Sequence, residues 1–138
     1  MAIELSRLCV PFTPLARPLE ACRVALVSTA GVYAAGQEAF DPDNDTSIRV
    51  APSDAATDTL RISHGHYDHG DADRDPNVVF PLDRLRELVK AGEIKELAPG
   101  AVSMGFTQSF RVIRGETTPQ IVDEVNRWSV DACLLTAG

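Results

Sequence analysis

The three histidines of the chain all fall in SHGHYDHG, spelling His64-x-His66-x-Asp68-His69. Imidazole nitrogens and a carboxylate at this spacing suit Zn²⁺ or Fe, and a strand running into a loop lets such side chains converge on an ion that activates water. The competing reading is a polar loop whose histidines bond carbonyls and carboxylates. A third is a proton shuttle, because an unperturbed imidazole titrates at about pH 6.5. Arg49, in SIRV, is the candidate for gripping a substrate carboxylate, since a guanidinium presents two parallel donors to it; pairing with Asp45 or Asp54 is the alternative. Thr29, Gly31 and Ser47 can add donors at a binding crevice, or simply shape turns. Cys9, Cys22 and Cys133 are odd in number and show no CxxC spacing, which suggests free thiols in a reducing compartment. Cys133 lies in an apolar run and reads as core.

These residues need elements to position them. Residues 1–21 hold Pro11, Pro14 and Pro18, whose fixed φ favours an extended arm; residues 22–138 read as the folded part. The apolar run 22–28 followed by Thr29, Ala30 and Gly31 reads as a buried strand and a tight turn. Residues 46–50 and 59–63 read as short strands, the first at an edge or in a hairpin, with the turn formers of 40–45 before it. Residues 64–77 read as loop. A helix should start with Pro81 in its first position and stop at Gly92, burying Leu82, Leu85, Leu88 and Val89. A second should start with Thr118 as N-cap ahead of Pro119 and bury Ile121, Val122, Val125 and Trp128. Between them, 101–106 reads as a strand. The final run, 130–138, has the continuous apolar character of a central parallel strand.

The elements add up to an α/β fold, a mostly parallel sheet flanked by helices, left incomplete by a core strand at the chain's end. ALVSTAG (25–31) and CLLTAG (133–138) echo each other as strand plus Gly turn. In a parallel sheet, both turns would aim at one crevice.

Composition narrows the partners. At 138 residues, with 44% hydrophobic and 24% charged residues, the chain can build a core and is not a disordered polymer. Acidic residues outnumber basic ones by 20 to 13, for a net charge of -7, and the acids crowd the stretch from Glu38 to Asp75, answered there by Arg49, Arg61 and Arg74. Such a surface repels phosphate backbones and anionic lipid, which argues against nucleic-acid and membrane binding. No apolar run approaches the roughly 18 residues of a membrane span, and a cytoplasmic location is expected.

Two family resemblances follow. HxHxDH resembles the metal-binding motif of metallo-β-lactamase-type hydrolases, but three histidines leave a two-ion site short of ligands, and that fold needs more chain than follows His69. A broader match comes from STAGVY (28–33), FDPDNDTSIRVAPSD (40–54), the segment 62–99 and VDACLLTAG (130–138), which together resemble the selenoprotein B family, subunits of glycine, sarcosine, betaine and D-proline reductases. Its most specific part is 75–92, with Asn77, Phe80, Pro81, Asp83 and Arg84 in order.

The resemblance implies reductive cleavage of a carbon–nitrogen bond by a selenocysteine or cysteine, a pyruvoyl group on a partner subunit that activates the amine, and a thiol reductant protein that restores the redox residue. It also implies that the redox residue comes directly after Gly138, so that this chain lacks its nucleophile and is inactive alone. Because UGA encodes selenocysteine, termination at that codon is one origin; a deliberately shortened or naturally short chain is another. Self-association through the bared sheet edge, at Leu134 and Leu135, is expected as well. The remaining alternatives are a metal-dependent hydrolase and a non-catalytic metal-binding or assembly module.

Overall fold

The computed structural model describes residues 13–138; Cys9, Pro11 and the greater part of the expected arm lie outside them. The strand expected over 22–28 forms as β1 (Arg23–Ser28), buried from Val24 onward. It is followed by β2 (Val32–Ala34), β3 (Ile48–Pro52), β4 (Leu60–Ile62), β5 (Glu96–Leu97), β6 (Gly100–Met104) and β7 (Ala132–Thr136). Three helices matter below: α1 (Gly70–Arg74), α2 (Leu82–Ala91) and α3 (Thr118–Arg127).

The main sheet is mixed and mostly parallel, as the sequence leads one to expect. β5, β6 and β7 all run parallel to β1, while β3 is antiparallel to β6. Val24, Val27 and Ser28 pair both with β7 and with β5 or β6, so β7 lies on the opposite side of β1 from the other two. The strand expected over 46–50 does sit at the sheet's border. β2 and β4 form a separate antiparallel ribbon, Val32 opposite Ile62 and Ala34 opposite Leu60. Phe80, Leu26, Leu82, Val32 and Val102 are sealed in the core.

Several local expectations need correction. β7 is parallel but not central: among the described residues it pairs with β1 alone, and Cys133, Leu134 and Leu135 are exposed, Leu135 at 73%. An apolar run marks a surface that wants cover, and cannot say whether the cover is present. α2 ends at Gly92 with φ 76° as foreseen, but Pro81 is its N-cap, and Leu88 is 42% exposed while Leu82 and Leu85 are buried. Gly70–Arg74 is helical where loop was expected; Asp68 Oδ1 accepts the Gly70 N–H at 3.0 Å.

The second helix departs furthest. It begins earlier, at Phe110–Val112, and passes through a π-helical turn at Ile113–Thr117 before becoming α3. The buried Thr117 hydroxyl donates to the Thr46 carbonyl at 2.8 Å. The wider turn falls just ahead of Pro119, whose ring has no N–H to give the ladder. None of α3 is buried: Ile121, Val125 and Trp128 are half-covered and Val122 is 47% exposed.

Candidate active site

β1 and β7 lie in register, Ala25 opposite Cys133 and Ser28 opposite Thr136, so the two echoed segments are neighbours strand to strand. Ser103 of β6 lies opposite Ser28 on the other side, making a row of strand-end hydroxyls. Ser28 and Thr136 both donate to the Val79 carbonyl, at 3.1 and 2.7 Å, and Ser103 Oγ accepts the Val32 N–H at 2.8 Å. Buried hydroxyls need partners, and here the partners fix where the strands stop. The Thr29 N–H reaches the Thr136 carbonyl at 3.1 Å, carrying the pairing one step past the strand ends.

Gly31 turns the chain back. Its φ is 69°, its N–H donates to the Met104 carbonyl, and its carbonyl accepts the Ser63 N–H at 3.0 Å. That last bond sets the end of β4 against the sheet and brings His64 to the carboxyl ends of β1, β6 and β7. A Cβ on Gly31 would collide with the Ser63 carbonyl, so the approach depends on glycine.

A cavity of about 340 Å³ opens there. Thr29 and Gly138 border it at two strand ends, with His64 and His66 beside them; Met104, Gly105, Phe106, Thr107 and Ile113 complete the wall. A crevice thus lies where the echo pointed, and among the described residues its lining side chains are imidazoles, hydroxyls and apolar groups, with no side-chain carboxylate, ammonium or guanidinium. Phe106 and Thr107 were not singled out by sequence reasoning. The signal was there: like β1 and the final run, β6 ends in a turn containing glycine, Gly105.

His64 is buried, and its Nδ1 accepts the His66 N–H at 3.1 Å. The ring's proton therefore sits on Nε2. Its ring meets Tyr67 edge-on at 4.6 Å and Phe106 at 5.1 Å. Burial, with His66 and His69 adding like-charge repulsion, holds its pKa below the usual imidazole value, so the ring is neutral at pH 7. His66 stacks on Phe106, centroids 3.7 Å apart. Tyr67 donates to the Ala30 carbonyl at 3.1 Å; burial, helped by Asp73, pushes its phenol up to about 12. The Tyr67 ring also lies so close to Gly138 that a Cβ there would fall 2.6 Å from it.

The other candidates are placed elsewhere. Asp68 Oδ1 accepts the Gly70 N–H at the start of α1, and His69, the N-cap residue, pairs its Nδ1 with Asp73 at 2.8 Å, so the HxHxDH donors face different tasks. Among the described residues, no three His, Cys, Asp or Glu side chains are grouped to hold one ion, and no step is derived through a metal. Arg49 does not border the crevice. Its guanidinium is occupied by the Glu38 carbonyl at 2.9 Å, the Ser47 hydroxyl at 2.6 Å and the Ile48 carbonyl at 3.1 Å, and it lies 4.5 Å over the Phe40 ring. Ser47 in turn donates to Asp45; burial alone would raise the Asp45 pKa, but the bonds from Ser47, with Asp41 and Arg49 nearby, bring it below the ordinary value. Cys133 is exposed, yet the chain around it desolvates the thiol enough to raise its pKa, the opposite of an activated nucleophile.

A family model described as glycine/sarcosine/betaine reductase selenoprotein B matches residues 6–138. The chain belongs to this family. Among curated relatives, it is 41% identical over 128 residues to D-proline reductase subunit gamma of Acetoanaerobium sticklandii, covering 92% of this chain and 53% of the relative. Glycine reductase complex component B subunit gamma of Symbiobacterium thermophilum is 28% identical, across 93% of this chain and 31% of the relative. Sarcosine reductase complex component B subunit beta of Peptoclostridium acidaminophilum is 30% identical, across 68% and 23%. The chain thus spans about half the length of the first of these relatives and less of the others. No solved structure matches it. No helix among the described residues is long and apolar enough to cross a membrane.

Proposed function

We propose that this chain forms the crevice-bearing part of the redox subunit of an amino-acid reductase, which cleaves a carbon–nitrogen bond of glycine, betaine, sarcosine or D-proline with electrons from a thiol reductant protein. The observation that carries this reading is the meeting of Thr29 and Gly138 with His64 and His66 in one cavity at parallel strand ends. A selenocysteine or cysteine in the next position after Gly138 would stand at that cavity, next to imidazole and hydroxyl groups. A partner subunit's pyruvoyl group supplies the electron sink that activates the substrate amine. On this side of the reaction the chain's own residues shape the chamber.

In this reading the first 138 residues alone carry no turnover. The DNA beyond codon 138 is expected to open with UGA or a cysteine codon and to continue in a family-like frame. A chain continued through that frame, with the pyruvoyl-bearing subunit and dithiothreitol, should consume one of the four substrates, and the 138-residue chain should consume none. Turnover by the shorter chain, or an ordinary stop with no related frame behind it, would remove the proposal.

The outer face of β7 adds an expectation about assembly. Residues 132–138 carry no charge or proline to guard an open strand edge, and Leu135 is the most exposed of its apolar side chains; such edges recruit further strands. Light scattering should give a mass above the 14.9 kDa of one chain, and Leu135→Lys should bring it down towards that value. A monomeric parent chain would contradict this.

A further inference from the structure

Beyond Thr136 the last strand gives up its ladder. The Thr136 hydroxyl bonds the Val79 carbonyl at 2.7 Å and its own carbonyl accepts the Thr29 N–H at 3.1 Å, but among the described residues no backbone hydrogen bond reaches Ala137 or Gly138. Two small residues left in that state sweep a wide range of directions, glycine most of all. Gly138 is nevertheless hemmed in. A Cβ on it would lie 2.6 and 2.8 Å from Cε1 and Cζ of the Tyr67 ring and 2.9 Å from the Ala30 Cα, so the residue lies against both and only glycine fits.

The ring that closes this slot is itself fixed. Tyr67 is packed against the core, its ring meets His64 and His69 edge-on with centroids 4.6 and 5.7 Å away, and its hydroxyl donates to the Ala30 carbonyl at 3.1 Å. It cannot swing aside without breaking that bond. The hydroxyl and Gly138 thus share one anchor, Ala30, where the histidine loop, the turn after β1 and the end of β7 meet. Burial, helped by Asp73, pushes the phenol up to about 12, so the donor keeps its proton at pH values where an ordinary phenol, titrating near pH 10, would lose it.

We propose that Tyr67 is a positioning residue: with its ring against Gly138 and its hydroxyl on Ala30, it sets the direction in which the backbone leaves β7, and so the direction in which the next side chain points. The inference rests on the reductase reading only for the identity of that next residue, the redox selenocysteine or cysteine; the clamp on Gly138 belongs to the 138-residue chain. Tyr67 acts through Gly138 and touches no reacting atom. Its leverage is geometric, because a displacement of about 1 Å at a reacting centre can cost about a hundredfold in rate.

The test separates the ring from its hydroxyl. In ¹H–¹³C spectra of the 138-residue chain, the Gly138 Hα protons should stand away from random-coil positions because of the ring current. Tyr67→Leu should return them there, Tyr67→Phe should keep most of the displacement, and in the parent it should persist to about pH 10. Gly138→Ala, at the exposed end, strains the same contact from the other side and should shift the Tyr67 ring resonances even if Tyr67→Leu folds poorly. In the continued chain with cysteine after Gly138, Tyr67→Leu and Gly138→Ala should each speed alkylation of that cysteine by iodoacetamide severalfold, at an unchanged thiol pKa read from the pH profile. With the pyruvoyl-bearing subunit and dithiothreitol, Tyr67→Leu should lower kcat about tenfold or more per folded chain and leave the substrate KM within about twofold, while Tyr67→Phe should lie close to the parent. Gly138 protons at random-coil positions in the parent, or alkylation unaltered by both variants, would overturn the clamp whether or not the chain turns over. A kcat loss that disappears once corrected for the folded fraction would make Tyr67 a packing residue and overturn the positioning role. A clamp and altered alkylation in a continued chain that reduces no amino acid would sink the reductase reading and leave Tyr67 as the residue that aims the chain. Turnover without the clamp would do the reverse.

Discussion

Gly31→Val should unfold the chain at a markedly lower urea concentration, with a loss of roughly 3 kcal/mol or more. Two penalties add at this position. The residue holds φ 69°, a region that a β-branched side chain enters at a cost of about 1–2 kcal/mol. The new Cβ also meets the Ser63 carbonyl, and relieving that collision pulls apart the bond from the Ser63 N–H to the Gly31 carbonyl. Gly36→Val separates the two penalties. Gly36 has φ 91°, but a Cβ there meets nothing within 4 Å, so only the conformational cost applies and a loss of about 1–2 kcal/mol is expected. Because Gly31 sets where β4 ends, its variant should also displace His64, seen as changed imidazole shifts at conditions where it remains folded. Equal midpoints for the two valine variants would mean that the close approach to Ser63 is not what holds the turn.

How far the sequence foretold this site depends on what kind of signal each residue carried. The echo between 25–31 and 133–138 was legible because it is local: apolar runs ending in small residues state both the strand and its turn. From that followed the parallel pairing and the crevice. Thr29, His64 and His66 were named in advance and do meet there. Phe106 and Thr107 were not, since Gly105 marks the turn after β6 but not the arrival of that strand beside β1, a long-range pairing. Arg49 shows what residue type leaves open: it suits a carboxylate clamp, but type cannot reveal that its Nε and Nη1 bond Glu38, Ser47 and Ile48, with Asp45 3.9 Å from Nη2. The histidine spacing likewise does not say that His64 and His66 border the cavity whereas Asp68 and His69 attend to α1 and to Asp73. Periodicity likewise identified α3 as an amphipathic helix without saying whether its apolar stripe is covered, and Val122 is not.

Phe80→Ala should be the most damaging single truncation in the core, at about 3–5 kcal/mol. Phe80 is fully buried, at 0% exposure, and is the largest side chain in that state, so its removal leaves a void that neighbours such as Leu26 and Leu82 cannot fill without moving. The damage should not stop at packing. Phe80 follows the turn Pro76–Val78 and its N–H is bound to the Pro76 carbonyl at 2.8 Å, so the ring pins the backbone on which the Val79 carbonyl stands. That carbonyl accepts both Ser28 and Thr136, the hydroxyls that fix β1 and β7 at the mouth of the crevice. Loss of the ring is therefore expected to loosen the register of β7 on β1, seen as faster amide exchange at Leu134 and Thr136 than at Val102. Val78→Ala, two residues away and 63% exposed, should stay within about 0.5 kcal/mol of the parent. Thr136→Val removes one of the two donors but leaves Ser28 on the carbonyl, so a loss of about 1 kcal/mol is expected. If Phe80→Ala lost stability but left exchange in β7 unchanged, the ring would be a packing residue only, and the two hydroxyls would be holding the strand ends without it.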